Sequence, residues 1–172
     1  MIEKINLGMK YVFVSIIILF TNAYAEEYII NSVPFFPSND FQCGPASLAM
    51  ILNFLGAKIT VDEIAKEIYS KEARGTSDFD MILFAQKRGF KVLNYRGSIE
   101  DIKEKIKENK PLIVMTDEGY WFYKKYHFMV VLGFDDKNII VNSGKKMHEK
   151  INIKEFKKKW SKAGYWTLLI DK

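Results

Sequence analysis

Apolar positions in the first half of the chain recur every three or four residues, which is the spacing of an amphipathic α-helix. A first helix is predicted to open at Gly44 and Pro45 and to end at Gly56, because proline is tolerated in a first turn and glycine often follows a last one. Three further helices are predicted after residues suited to cap a helix N-terminus. These capping residues are Thr60, Ser77 and Ser98.

Short apolar runs typical of strands appear between the last of these helices and then dominate the second half of the chain. The predicted strands cover residues 90–95, 111–115, 127–134, 138–142 and 165–170. A hairpin turn at residues 135–137 joins two of them, and Asn152 is expected to cap a last helix through Trp160. Early helices followed by a mostly antiparallel sheet predict an α+β fold.

The first 25 residues have the pattern of a secretory signal peptide. Lys4 and Lys10 precede or flank an apolar run at residues 11–20, and Ala23-Tyr24-Ala25 follows as a cleavage site. The apolar run is well short of the roughly 18 residues of a membrane-spanning helix. We therefore predict cleavage after Ala25, one domain at residues 26–172, and export to the periplasm or the extracellular space without a stable membrane anchor.

The net charge of the predicted mature chain is too small to indicate a nucleic acid as partner. Removal of residues 1–25 takes away two lysines and one glutamate and lowers the net charge from +5 to +4. This excess is small and dispersed, and the basic run at residues 157–159 is expected to be a solvated helix face. We predict a monomer that does not bind nucleic acid and whose charge suits an anionic cell surface.

Cys43 is the only cysteine of the chain, so it has no partner for an intramolecular disulfide. It lies at the start of the first predicted helix, where unpaired N–H groups and the helix dipole lower the pKa of a thiol. A buried cysteine that acts only as a small apolar side chain is the structural alternative. The position favours a nucleophile.

Two histidines are available as partners of this thiol. His127 opens an apolar strand at the rim of the predicted sheet, whereas His148 lies among charged residues in a predicted loop. The hairpin that follows His127 brings Asn142 within reach of the imidazole, although a shift of one residue in register would turn its side chain away. Asn142 is equally suited to be a turn residue before Ser143.

Five segments together resemble one peptidase family. They are residues 33–37 (VPFFP), 42–49 (QCGPASLA), 111–114 (PLIV), 127–135 (HFMVVLGFD) and 142–144 (NSG), and the closing residues 164–166 (GYW) match as well. In this order they resemble the bacteriocin-processing, double-glycine-leader cysteine peptidases of the papain clan. The resemblance covers roughly residues 30 to 170 and includes stand-alone, exported members.

The resemblance implies a papain-like cysteine peptidase fold, with the nucleophile helix packed on a mostly antiparallel C-terminal sheet. It implies hydrolysis of peptide bonds by Cys43 and His127, with Asn142 as the orienting residue and a peptide or protein as substrate. Relatives commonly carry an oxyanion-hole glutamine five or six residues before the cysteine, where this chain has Ser38 and Pro37. Gln42 is the candidate replacement. No nucleotide-binding motif accompanies these segments, so leader processing coupled to ATP-driven export is not expected.

Two other function classes stay open beside the peptidase that processes leader or other secreted peptides. A catalytically inactive domain of the same fold would bind a peptide in the same cleft, and a cell-wall peptidase or amidase would use the same Cys-His pair. The aromatic run at residues 120–123 either lines a substrate cleft or packs as a loop anchor. One cysteine and two dissimilar histidines do not form a recognisable metal site, so no cofactor is expected.

Overall fold

The computed structural model describes residues 27–39, 41–72 and 74–172, so the predicted signal peptide lies outside the described residues. Five helices and seven strands occur within this part of the chain. In chain order they are β1 (Tyr28–Ile29), α1 (Cys43–Phe54), α2 (Val61–Ile68), α3 (Asp78–Lys87), β2 (Lys91–Arg96), α4 (Ile99–Lys107), β3 (Leu112–Asp117), β4 (Tyr126–Phe134), β5 (Asn138–Ser143), β6 (Lys146–Asn152), α5 (Ile153–Lys162) and β7 (Trp166–Asp171). The predicted α+β fold is confirmed.

The strands form one antiparallel sheet with the order β2-β7-β3-β4-β5-β6, and β1 pairs with the end of β4. β3 and β4 pair along their length, from Leu112 opposite Val131 to Asp117 opposite Tyr126. The strand β6 was not predicted, because lysine, histidine and glutamate dominate its sequence. Such polar composition suits an edge strand, where charged side chains prevent pairing with other chains.

Helix α1 is buried on all sides over its first ten residues, from Cys43 to Leu52. It packs against β4 in the sheet and against α2 and α3 on its other side. A helix that is apolar all round belongs in a core rather than on a surface, and this position follows from the sequence CGPASLAMIL. Cys43 therefore begins the central helix, at the edge of the hydrophobic core.

Local hydrogen bonds at the helix starts agree with the capping residues predicted from the sequence. Thr60 forms a complete capping box with Glu63, and the hydroxyl groups of Ser77 and Ser98 accept from N–H groups three residues later. Each cap of this kind stabilises its helix by about 1 kcal/mol. None of the described helices is long and apolar enough to cross a membrane.

Candidate active site

Cys43 lies in the first turn of α1 and is 8% exposed. The first turn of this helix contains no acidic residue, so no carboxylate there opposes the positive end of the helix dipole. The first N–H groups of a helix have no partner within it. A thiolate is stabilised at such a helix start, as the sequence suggested.

A cleft with a volume of about 760 Å³ opens beside Cys43. One wall is formed by Phe41 and residues 74–77, and the other by residues 123–126 and Phe128 of the β3–β4 connection and β4. Three cationic side chains line this cleft, and no described acidic residue does; the cations are Arg74, Lys124 and Lys125. Positive charge near a thiol favours its ionised form, so the cleft adds to the effect of the helix start.

His127 is the second residue of β4, and it is not among the residues that line the Cys43 cleft, although its neighbours Tyr126 and Phe128 are. Its Nε2 atom lies 2.9 Å from the hydroxyl oxygen of Ser143. When the Nε2–H group donates to Ser143 Oγ, the neutral imidazole has its basic nitrogen at Nδ1. The imidazole and Ser143 instead line a second cavity of about 470 Å³, and Lys125 lines both cavities.

Asn142 occupies a different position from the one that the sequence predicted. The expected hairpin register placed it opposite the start of β4, whereas the structure pairs it with Val130 and has a register shift between Val131 and Gly133. Because side chains alternate along a strand, Asn142 shares its face of the sheet with Val130 rather than with His127. Ser143, one position later, lies on the face of the sheet that carries the imidazole.

The side chain of Asn142 is fully buried, and its contacts are with the neighbouring strand. Its Oδ1 atom accepts a hydrogen bond of 3.0 Å from the backbone N–H of His148, and its Nδ2 atom has no hydrogen-bond partner. This contact satisfies a backbone donor at the irregular pairing of β5 with β6. Its role as the orienting residue therefore stays a prediction, and Ser143 is the contact that the sequence analysis missed.

Gln42, the predicted oxyanion donor, is half-buried and directly precedes α1. Its carbonyl oxygen accepts from Ala46 N–H, and its side chain makes no capping hydrogen bond. The segment that precedes Gln42 is held against the β5–β6 turn, because Ser38 N–H donates to Gly144 O at 2.9 Å. The oxyanion role of Gln42 stays a prediction, and the backbone N–H of Cys43 is a second candidate donor.

Thr76 is a further residue of the cleft that the sequence did not single out. Its hydroxyl oxygen is buried without a hydrogen-bond partner, and its side chain packs against Gly44, where an added Cβ would lie 3.0 Å from Thr76 Cβ. A buried hydroxyl without a partner is costly. Among the described residues, no cluster of histidine, cysteine, aspartate or glutamate is arranged to hold a metal ion.

Several solved structures have the same fold. The chain superposes on a putative C39-like peptidase from Bacillus anthracis with a TM-score of 0.71, at 20% identity, covering 86% of this chain and 98% of that one. It superposes on the peptidase domain of Streptococcus ComA, a bifunctional ABC transporter of a quorum-sensing pathway, with a TM-score of 0.65, at 18% identity, covering 81% and 98%. A double glycine motif protease from an AMS/PCAT transporter, in complex with its leader peptide, gives a TM-score of 0.61 at 22% identity, covering 81% and 91%.

Two relatives are similar in sequence over part of the chain. Uncharacterized proteins of Methanothermobacter thermautotrophicus and Methanothermobacter marburgensis are 28% and 30% identical to it over 102 residues. Each match covers 59% of this chain and 64% of the relative, so the chain spans less than two thirds of the length of these curated relatives.

A profile of the Peptidase_C39 like family matches residues 30–167, which include all five described helices, strands β2 to β6 and the first two residues of β7. This match agrees with the resemblance that the sequence segments indicated. The superposed structures agree with the predicted papain-like fold. The protein belongs to the Peptidase_C39 like family and has the papain-like fold of C39 peptidase domains.

Proposed function

We propose that the protein is an exported cysteine peptidase that hydrolyses peptide bonds with Cys43 as nucleophile and His127 as general base and then acid. The observation that carries this proposal is the position of the only thiol, which begins a buried helix in a cationic cleft walled by the strand of His127. Export is supported by the pattern of residues 1–25 alone, and N-terminal sequencing of the secreted chain tests it.

In the proposed reaction, the thiol proton of Cys43 moves to Nδ1 of His127, and the thiolate attacks the carbonyl carbon of the scissile bond. The oxyanion that forms accepts hydrogen bonds from the backbone N–H of Cys43 and, as we propose, from the side chain of Gln42. The imidazolium then protonates the leaving amine as the C–N bond breaks. Water, deprotonated by the imidazole, hydrolyses the remaining thioester and restores the thiol.

The third member of the site has two candidates. Asn142 is the residue that the resemblance implies, and Ser143 is the residue whose hydroxyl lies 2.9 Å from the imidazole. We propose that Ser143 holds the ring, because a hydrogen bond at Nε2 fixes the tautomer with its basic nitrogen at Nδ1. A hydroxyl has no charge, so it stabilises the imidazolium less than a carboxylate would.

A peptide is the substrate that fits the cleft. The similar double glycine motif protease was solved with a leader peptide, and we propose that this chain binds a peptide in the cleft beside Cys43. Its cationic residues favour acidic side chains of the substrate, and Phe41, Tyr123 and Tyr126 offer aromatic surface to apolar ones.

A thiol-directed probe tests this proposal before a substrate is known. The protein is incubated with an E-64-type epoxide or a peptide vinyl sulfone, and its intact mass is measured. We expect one adduct on Cys43, strongly slowed in His127→Ala and unchanged in His148→Ala, the matched histidine control. An absence of adduct in the folded protein, with labelling only after denaturation, would contradict the proposal and favour an inactive peptide-binding domain.

A further inference from the structure

The connection between β3 and β4 exposes four aromatic side chains in a row. We call residues 118–125 the aromatic loop. At its tip the exposed fractions are 87% for Tyr120, 99% for Trp121, 92% for Phe122 and 67% for Tyr123. Contiguous apolar surface of this kind marks an interaction site. Of the four side chains, Tyr123 lines the Cys43 cleft, and the other three are not part of its lining.

The base of the aromatic loop is held by hydrogen bonds. Glu118 N–H donates to Lys125 O at 2.8 Å, and one oxygen of Asp117 accepts from the N–H groups of Gly119 and Lys125. Asp117 is 5% exposed; its burial raises its pKa, but the two N–H donors together with the charges of Lys162 and Lys124 outweigh this effect, and the pKa lies below its ordinary value. The loop therefore presents its aromatic tip from an ordered base.

Positive charge surrounds this base. Lys124 and Lys125 follow the aromatic tip directly, and Lys162 of α5 donates to Gly119 O at 3.1 Å. The carboxylate of Glu118 is paired with Lys159 of the same helix at 2.8 Å. Four lysines thus accompany three carboxylates, those of Asp117, Glu118 and Glu155, the last of which pairs with Lys159 at 3.2 Å. The surroundings of the aromatic tip carry a net positive charge.

We propose that the aromatic loop docks the protein reversibly on an anionic lipid bilayer. Tryptophan and tyrosine side chains are favoured at the membrane–water interface, and neighbouring lysines are attracted to anionic headgroups. The apolar side chains at the tip and the lysines beside them supply the two signals that stable peripheral binding requires. Since Tyr123 lines the cleft, docking brings the entrance of the Cys43 cleft to the bilayer surface. This contact is peripheral, unlike a spanning anchor.

Trp121 is a built-in reporter for this docking. The chain has three tryptophans, and the other two are buried or half-buried, namely Trp160 and Trp166. The chain without residues 1–25 is used, because their apolar run would itself bind lipid and every helix and strand described lies in the remainder. It is mixed with vesicles of equal parts phosphatidylcholine and phosphatidylglycerol. We expect a blue shift of the emission and cosedimentation, both weakened by added salt.

Variants assign the binding to the loop. The double variant Trp121→Ala with Phe122→Ala should weaken cosedimentation by about tenfold or more, since each ring loses its burial in lipid. Leu93→Ala, which changes an exposed apolar residue on the edge strand β2, is the matched control and should bind as the parent does. Probe labelling of Cys43 in solution should be unchanged in both, so this test is independent of the proposed peptidase activity.

Three results would overturn the proposal. These are no binding to the mixed vesicles, equal binding of the double variant and the parent, and equal binding to vesicles of phosphatidylcholine alone. Capture of an apolar peptide by the loop, lost in the double variant and without vesicle binding, would also overturn it and assign the loop to peptide recognition.

Discussion

Two adjacent residues of β5 allow the orientation of the imidazole to be separated from the stability of the sheet. Ser143 Oγ lies 2.9 Å from His127 Nε2, and Asn142 Oδ1 lies 3.0 Å from the backbone nitrogen of His148. We expect Ser143→Ala to lower kcat/KM while the free energy of unfolding stays nearly unchanged. Asn142→Ala should lower the free energy of unfolding and leave kcat/KM nearly unchanged.

The magnitudes follow from what each side chain contacts. A hydrogen bond to a charged group contributes about 1.5–3 kcal/mol, so loss of the Ser143 hydroxyl should lower kcat/KM about 10- to 100-fold. Asn142 is fully buried, and its removal leaves the His148 N–H group without its acceptor, which costs about 1–3 kcal/mol of stability. Because Asn142 Nδ2 has no hydrogen-bond partner, its loss offsets part of that cost.

The assay pairs a rate with a stability measurement on the same variants. Until a substrate is known, the second-order rate of vinyl sulfone labelling at Cys43 replaces kcat/KM, and urea unfolding gives the stability. Ser143→Thr keeps the hydroxyl and should retain most of the rate. If Asn142→Ala slows labelling a hundredfold without loss of stability, while Ser143→Ala labels normally, the assignment to Ser143 is wrong and Asn142 orients the ring.

Ser143→Asp extends the same reasoning to pH. A carboxylate beside Nε2 stabilises the imidazolium, so the pKa of His127 should rise. The thiolate–imidazolium pair then persists to higher pH, and the alkaline limb of the pH–rate profile should move upward. A profile identical to that of the parent chain would show that position 143 does not contact the working imidazole.

Two further predictions concern the fold. Hydrogen bonds from Asn138 outweigh the effect of burial and lower the pKa of Asp135 to about 2. The ionised carboxylate therefore stabilises the folded state by at most about 2 kcal/mol. This contribution is complete above about pH 4 and is lost as the pH falls toward 2. Acid unfolding monitored by circular dichroism should show a weaker dependence of stability on pH in Asp135→Ala. The control Asp136→Ala, which changes the exposed neighbour, should keep the dependence of the parent chain. A Cβ on Gly133 would collide with Tyr28 O, so Gly133→Ala should separate β1 from β4. Urea unfolding should show a free energy of unfolding lower by about 1–3 kcal/mol. An unchanged free energy would refute this prediction.

Much of the fold could be predicted from the sequence because its signals are local. The capping residues Thr60, Ser77 and Ser98 stand where helices begin, and the apolar run after His127 forms β4. The strand β6 escaped prediction because its edge position removes the alternation of apolar and polar residues. The charged residues around His148 predict a loop, whereas the structure places His148 inside the strand with φ 51°.

The candidate site shows where local signals end. The positions of Cys43 and His127 on their elements follow from a helix start and a strand start. The contact between Ser143 and the imidazole depends on a register shift near Gly133, which no residue pattern marked. A shift of one residue exchanges the two faces of a strand, and so it exchanges the positions expected for Asn142 and Ser143.

The aromatic run at residues 120–123 illustrates a second limit. Its composition fitted a cleft wall and a packed anchor equally, since both bury aromatic side chains. The structure instead exposes three of the four almost completely, because the loop closes on Asp117 and turns its tip away from the sheet. Only the tertiary arrangement distinguishes these outcomes.

The activation of Cys43 by its helix and by His127 is the central claim, and the absence of any other cysteine makes it directly measurable. The rate of alkylation by iodoacetamide is followed against pH in the parent chain and in His127→Ala. We predict an inflection well below the value of about 8.5 of an ordinary thiol, moving upward in the variant. An inflection at or above that value, unchanged by His127→Ala, would show that the thiol and the imidazole do not act together.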